Sequence, residues 1–258
     1  MTRPASITRR RFGALAGSVL GSLAVGEACR AFVDPPDENA GRLTARPGAT
    51  TTATAEAGTR TLGLGTGRDA TLLVPEAASG PLPLLLLLHG ASSSGARILQ
   101  RVGTAVNAAG LVVLAPDSRD STWDAVLGGF GPDVEFLNTA LERVFSTIAI
   151  DPARVAVGGF SDGATYALSL GLINGDLFTK VVAFSPGFIV EGATHGKPRF
   201  FISHGATDTI LPIDSASHVI VPALKRRGYD VTFREFSGGH EVPPAVAGEA
   251  MTWVAARA

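Results

Sequence analysis

Apolar residues in this chain fall into short blocks, and the spacing within the blocks alternates between two periods. The strongest block, 82–88, ends in five consecutive leucines and is closed by Gly90. A continuous apolar run that short fits a strand buried on both faces of a parallel sheet. Similar blocks predict strands at about 60–64, 70–74, 111–114, 154–158, 180–184, 199–203 and 231–236. Between them lie helical patterns at about 96–109, 133–147, 215–227 and 244–256. In the second of these, Val134, Leu137, Leu141 and Val144 share one face. The first two strands flank Gly65-Thr66-Gly67-Arg68, which reads as a hairpin turn. Strands alternating with helices imply an α/β fold with a mostly parallel, doubly wound sheet. The hairpin would form its antiparallel edge.

The N-terminus follows neither period. Thr8-Arg9-Arg10-Arg11-Phe12 precedes an apolar, glycine-rich stretch at 13–26. That stretch is too short to span a bilayer and suits a signal-peptide core. Paired arginines in this position are similar to a twin-arginine export signal, so residues 1–30 are expected to direct export to the periplasm or medium, with no stable membrane span after their removal. Cys29 is a candidate lipidation site, although Gly26-Glu27-Ala28 matches a lipobox poorly. Residues 31–58, rich in Pro, Thr, Ala and Gly, read as a disordered linker. The folded domain is then expected over 59–258.

Charge and cysteine content narrow the chemistry. Removing Arg3, Arg9, Arg10, Arg11 and Glu27 with the N-terminal segment leaves 18 basic against 22 acidic side chains, a net charge of −4. That balance argues against a nucleic-acid partner. A single cysteine excludes an intrachain disulfide and a cysteine zinc cluster, and the five histidines show no metal-binding spacing. Neither a metal nor a cofactor is expected.

The chemistry concentrates at Gly159-Phe160-Ser161-Asp162-Gly163, between a predicted strand and an apolar, proline-free helix over 164–171. Strand, G-x-S-x-G, helix is the context of a nucleophile elbow, with Ser161 on a tight turn and glycines where the chains must pass closely. A serine hydroxyl becomes a useful nucleophile only when a base takes its proton and an acid orients that base. Downstream, Asp208 follows the strand 199–203, and His240 follows the last strand within Ser237-Gly238-Gly239-His240. Asp214 is read instead as a helix N-cap, His195 and His218 as surface residues, and His204 as structural. After the leucine strand comes His89-Gly90-Ala91-Ser92, the position of an oxyanion loop. The backbone N–H groups of Ala91 and Asp162 are the expected oxyanion donors, with His89 a post for the loop. Trp123, in a polar loop, and Phe188 are candidate substrate contacts, whereas Phe160 is read as core.

With these segments in place the chain resembles the α/β-hydrolases of the phospholipase/carboxylesterase and polyhydroxybutyrate-depolymerase-like esterase group. The resemblance covers about 60–258. It rests on Leu87-Leu88-His89-Gly90, on Ile150-Asp151-Pro152-Ala153-Arg154-Val155 leading to the elbow, on Ser203-His204-Gly205 with Asp208, and on Gly238-Gly239-His240. Ala164 stands where many relatives carry a second glycine. The resemblance implies a serine hydrolase of small or polymeric carboxylic esters, with Ser161, Asp208 and His240 as triad. A short- or medium-chain carboxylesterase fits best; a polyester depolymerase or feruloyl-type esterase is the alternative. A serine peptidase or a non-catalytic envelope binding protein fits less well. The short stretch between 184 and 199 leaves no room for a cap domain.

Overall fold

A computed structural model describes residues 38–48, 56–76 and 80–257. The export signal, Cys29 and most of the predicted linker lie outside the described residues. The described residues belong to one compact unit, Pro36–Ala258. Among them, no helix is long and apolar enough to cross a membrane.

Eight strands form one sheet in the order β1-β2-β4-β3-β5-β6-β7-β8. Strands β1 (Gly58–Thr61) and β2 (Ala70–Val74) make the expected antiparallel edge, β2 pairing with β4 (Val112–Pro116). From β4 onward the sheet is parallel, through β3 (Leu82–Leu88), β5 (Ile150–Phe160), β6 (Lys180–Phe184), β7 (Arg199–Gly205) and β8 (Val231–Phe236).

The leucine run explains why helices cover both faces. Leu84, Leu86 and Leu88 enter one core with residues of α3 (Pro132–Thr147), α4 (Asp162–Ile173) and α5 (Ser217–Arg226). Leu85 and Leu87 enter the other, against α1 (Gly95–Ala109) and α6 (Pro244–Ala255). All five leucines are fully buried, and the two-residue period of the strand sends alternate side chains to opposite layers. On the α6 side, buried Lys180 donates to the carbonyls of Trp253, Val254 and Ala256, using a cation to close that helix's C-terminal end.

Several boundaries depart from expectation. Strand β5 begins at Ile150, because Ile150 pairs with Leu82 across a register shift that carries the chain past Pro152. The loop after β4 contains a short helix, α2 (Asp124–Leu127). Asp214 does not cap α5: it lies in a 3₁₀ turn, Ile213–Ser215, and its carboxylate pairs with His218 instead. The connection from Phe184 to Arg199 holds no helix, as its length predicts.

Residues 38–48 correct the linker assignment, since this segment packs on the folded unit. Leu43 and Ala45 are buried in the core on the α3–α4 side. The Leu43 N–H donates to Asn174 Oδ1 (2.8 Å), and Asn174 Nδ2 donates to the Gly41 carbonyl (2.8 Å). Arg42 grips Asp176 with both guanidinium nitrogens, at 2.7 and 3.0 Å, and Arg46 adds a third contact. The Arg42 bond holds the Asp176 carboxyl far below the usual range. All these partners lie more than 90 residues away in sequence, so local composition carries no sign of them. Leu43→Ala is expected to cost about 2–5 kcal/mol through the cavity it leaves, read as a lower urea midpoint. An unchanged midpoint would mean that the segment hangs free.

Candidate active site

The elbow forms because three backbones meet where no side chain fits. Ser161 has φ 58° and ψ −122°, a conformation that costs a residue with a Cβ on the order of 1–3 kcal/mol. A Cβ on Gly159 would strike the Gly163 backbone, and one on Gly163 would strike the Leu88 and His89 carbonyls. Glycine at both positions lets β5 turn sharply into α4. The turn is pinned by the Ser161 N–H, which donates to the Phe184 carbonyl (3.0 Å), and by the Ser161 carbonyl, which accepts from Ala164 and Thr165.

His240 and Asp208 reach Ser161 because their loops interlock. Thr207 donates to the Gly238 carbonyl through both its N–H (3.0 Å) and its hydroxyl (2.9 Å), and the Ala206 N–H donates to Phe236. A Cβ on Gly205 would collide with the Gly238 and Gly239 carbonyls, so glycine permits this approach. His240 Nδ1 then donates to Asp208 Oδ2 at 2.6 Å, leaving Nε2 to accept from the Ser161 hydroxyl at 2.9 Å. The three predicted residues are thus in hydrogen-bonding sequence, with Asp208 and Ser161 buried and His240 half-buried.

Asp208 is held as an anion. Its Oδ1 accepts from the Ile210 and Leu211 N–H groups, each at 2.9 Å. Burial raises its pKa, but the His240 bond and these two amides outweigh burial, and the carboxyl lies below its ordinary value. His204, read as structural, contributes more than packing. Its Nε2 donates to the Leu211 carbonyl (2.7 Å) and lies 3.2 Å from Asp208 Oδ2, while Nδ1 accepts from Ser217. This second imidazole on the same carboxylate was not foreseen from sequence.

On the opposite side, the loop after β3 is set by His89. Nδ1 donates to the Gly90 carbonyl (2.7 Å), and Nε2 accepts from the Ser118 N–H (3.0 Å). The imidazole is therefore neutral and acts as the expected post. A Cβ on Gly90 would lie 3.2 Å from that of Ser161, so the loop abuts that serine. The N–H groups of Ala91 and Asp162 donate to no other group among the described residues. Asp162 heads α4, which adds the helix N-terminal field to this position. The Asp162 carboxylate accepts from the Thr122 hydroxyl (2.6 Å), fastening the elbow to the loop after β4.

The two proposed substrate contacts fare differently from their prediction. Trp123 is fully buried: its Nε1 donates to the His89 carbonyl (2.8 Å), and its ring stacks on Tyr166 at 5.3 Å. It supports the loop after β3 from behind, and its full burial keeps it out of the cleft. Phe188 is exposed and does not line the cleft at Ser161. Phe160, assigned to the core, does line it, with its ring 4.7 Å from the His240 imidazole. The polar loop around Trp123 is rigid because Asp124 and Asp133 capture its backbone. Asp133 accepts from Arg119 and Asp124 N–H groups, while Asp124 accepts from Gly131, Asp133 and the Tyr166 hydroxyl. Burial raises the Asp133 carboxyl despite these donors.

His89 and His204 share a consequence for stability. Burial is the main cause that holds each imidazole below its ordinary value. The unfolded chain therefore takes up these protons first, and the contribution is intact above the unfolded value of about 6.5. It is lost as pH falls from there towards the folded values. Urea midpoints are expected to drop as pH is lowered below about 6.5, and the drop should be shallower in His204→Gln.

Residues 134–256 match the sequence model of the family described as Phospholipase/Carboxylesterase. Over 159 residues the chain is 29% identical to the probable feruloyl esterase C of Aspergillus niger, covering 57% of each protein. It is 30% identical over 149 residues to the S-formylglutathione hydrolase of Mus musculus, covering 46% of this chain and 51% of that one. The chain thus spans about half the length of the curated relatives it matches. Among solved structures, the S-formylglutathione hydrolase FrmB from Staphylococcus aureus superposes with a TM-score of 0.64 at 18% identity, over 78% of this chain and all of that one. An acetyl xylan esterase from Aspergillus awamori gives 0.63 at 17% identity, over 77% and 99%.

Proposed function

We propose that this protein, an α/β-hydrolase in fold and similar over 134–256 to phospholipases and carboxylesterases, hydrolyses carboxylic esters through an acyl-enzyme on Ser161. The observation that carries the reading is the continuous path from Asp208 through His240 to Ser161, at 2.6 and 2.9 Å. It ends at a hydroxyl in a cleft that Ala91 also lines, and the N–H groups of Ala91 and of the adjacent Asp162 have no partner among the described residues.

In this mechanism His240 Nε2 takes the Ser161 proton as the oxygen attacks the ester carbonyl. Charge developing on the carbonyl oxygen is met by the Ala91 and Asp162 N–H groups, each such donor contributing roughly 2.7–4 kcal/mol in comparable enzymes. The imidazolium, steadied by ionised Asp208, then protonates the departing alcohol. Water enters along the same path: His240 removes its proton, the acyl group leaves as the acid, and Ser161 recovers its hydrogen. The cleft over these residues, about 400 Å³, suits a short or medium acyl chain better than a long one. No cap covers it from the Phe184–Arg199 connection, so activity should follow dissolved substrate without activation at an interface.

Ser161→Ala is expected to abolish hydrolysis of p-nitrophenyl acetate and butyrate. Asp208→Asn should lower kcat by about 10⁴ through loss of the correct imidazole tautomer, with the fold intact by circular dichroism. Turnover surviving in Ser161→Ala would overturn the assignment. Export is part of the same proposal, supported by Arg10, Arg11 and the apolar stretch after them. Replacing both arginines with lysine should retain the protein in the cytoplasm on cell fractionation.

A further inference from the structure

The hydrolytic chemistry leaves two cleft residues unused, Arg97 and Arg101. They stand four positions apart on α1, on one side of the helix, and both line the cleft that opens on Ser161 and His240. Arg101 is fixed by the elbow itself: its guanidinium lies 4.7 Å from the Phe160 ring centroid, and that ring lies 4.7 Å from the His240 imidazole. The positive charge therefore sits one aromatic ring away from the base.

What marks this pair is that the cleft it shares with Ser161 and His240 has no acidic residue in its lining. Arg42, Arg46, Arg154, Arg199 and Arg234 all form ion pairs with carboxylates. Neither Arg97 nor Arg101 forms one among the described residues, and no aspartate or glutamate lines the cleft. Two guanidinium groups with no carboxylate in the lining give this cleft a locally positive wall beside Ser161. The same cleft is lined by apolar Ile98 and Phe160, with Ile210 exposed on the loop that carries Asp208. A planar fork anchored on an aromatic face is prepared for an oxyanion at little further entropy cost, which a lysine would not match.

We propose that the cleft selects esters whose acyl chain ends in an oxyanion, a carboxylate or a phosphate-type group, bound by Arg101 and Arg97 beyond a short apolar spacer. This rests on the ester-hydrolase reading of Ser161. The anion would offset two positive charges while the apolar segment covers Ile98 and Phe160. Both arginines are exposed, so the selection weakens as salt shortens the reach of their charge.

The test compares kcat/KM for p-nitrophenyl hemiadipate with that for its neutral methyl ester. The wild-type protein at low salt is expected to favour the acid by about tenfold, the scale of a charge-assisted hydrogen bond in a partly wet site. That ratio should fall to about one in the Arg97→Gln/Arg101→Gln variant and persist in part in Arg101→Lys. In Arg101→Glu it should drop below one. A wild-type ratio near one, or a ratio that survives the double replacement, overturns the proposal. A variant merely damaged in folding would lose both activities together and leave the ratio unchanged. The corresponding p-nitrophenyl 5-phosphonopentanoate distinguishes the two anions by which is preferred. If no ester is hydrolysed at all, the hydrolase reading fails by itself, and calorimetric titration with adipate decides the arginine site. Binding lost in the double variant supports it; no binding to wild type overturns it.

Discussion

The site depends on one backbone constraint, the left-handed turn at Ser161. Strand β5 must stop, reverse its direction of side-chain display and start α4 within a single residue. The chain achieves this with strain at Ser161 and with no side chain at Gly159, Gly163 or Gly90. The fully buried leucine strand supplies the counter-surface, since its terminal carbonyls at Leu88 and His89 occupy the space that a Cβ on Gly163 would need. Strain of this kind persists only where the surroundings over-determine the conformation. Here the Phe184 carbonyl, the first turn of α4 and both core layers do so.

Two further scaffolds complete the geometry from either side. On one, the loops after β7 and β8 are hydrogen-bonded to each other, so that Asp208 and His240 are delivered as a unit. The carboxylate is shared with a second, neutral imidazole at His204. On the other, the loop after β3 rests on neutral His89 and on the indole of Trp123. Trp123 is itself supported by Tyr166 and, through it, by Asp124 and the buried Asp133. Burial holds the imidazoles of His89 and His204 below their ordinary value, so neither adds positive charge beside the site. The positive charge instead appears at Arg97 and Arg101 on the cleft wall, where a substrate can meet it.

Features written in adjacent residues were legible in the sequence. The leucine run fixed a doubly buried strand, and G-x-S-x-G between a strand and a helix marked the elbow. Asp208 and His240 were identifiable because each follows a strand end in the order this fold uses. The errors share a different physical origin. Trp123 sits among polar residues, and its burial comes from carboxylates at 124 and 133 capturing loop amides, a tertiary arrangement with no periodic signature. Residues 38–48 look like tether because one leucine and two arginines carry their docking, with partners at Asn138, Asn174 and Asp176. Phe160 belongs to the core and the cleft at once, which a burial pattern cannot separate.

The most direct measurement of the central claim is the position of the covalent adduct. Incubation with a fluorophosphonate, followed by intact-mass and tandem mass spectrometry, is predicted to give one phosphonyl addition per chain, mapped to Ser161, with its rate greatly reduced in His240→Ala. An unmodified chain, or an adduct mapped to any other residue, would contradict the account.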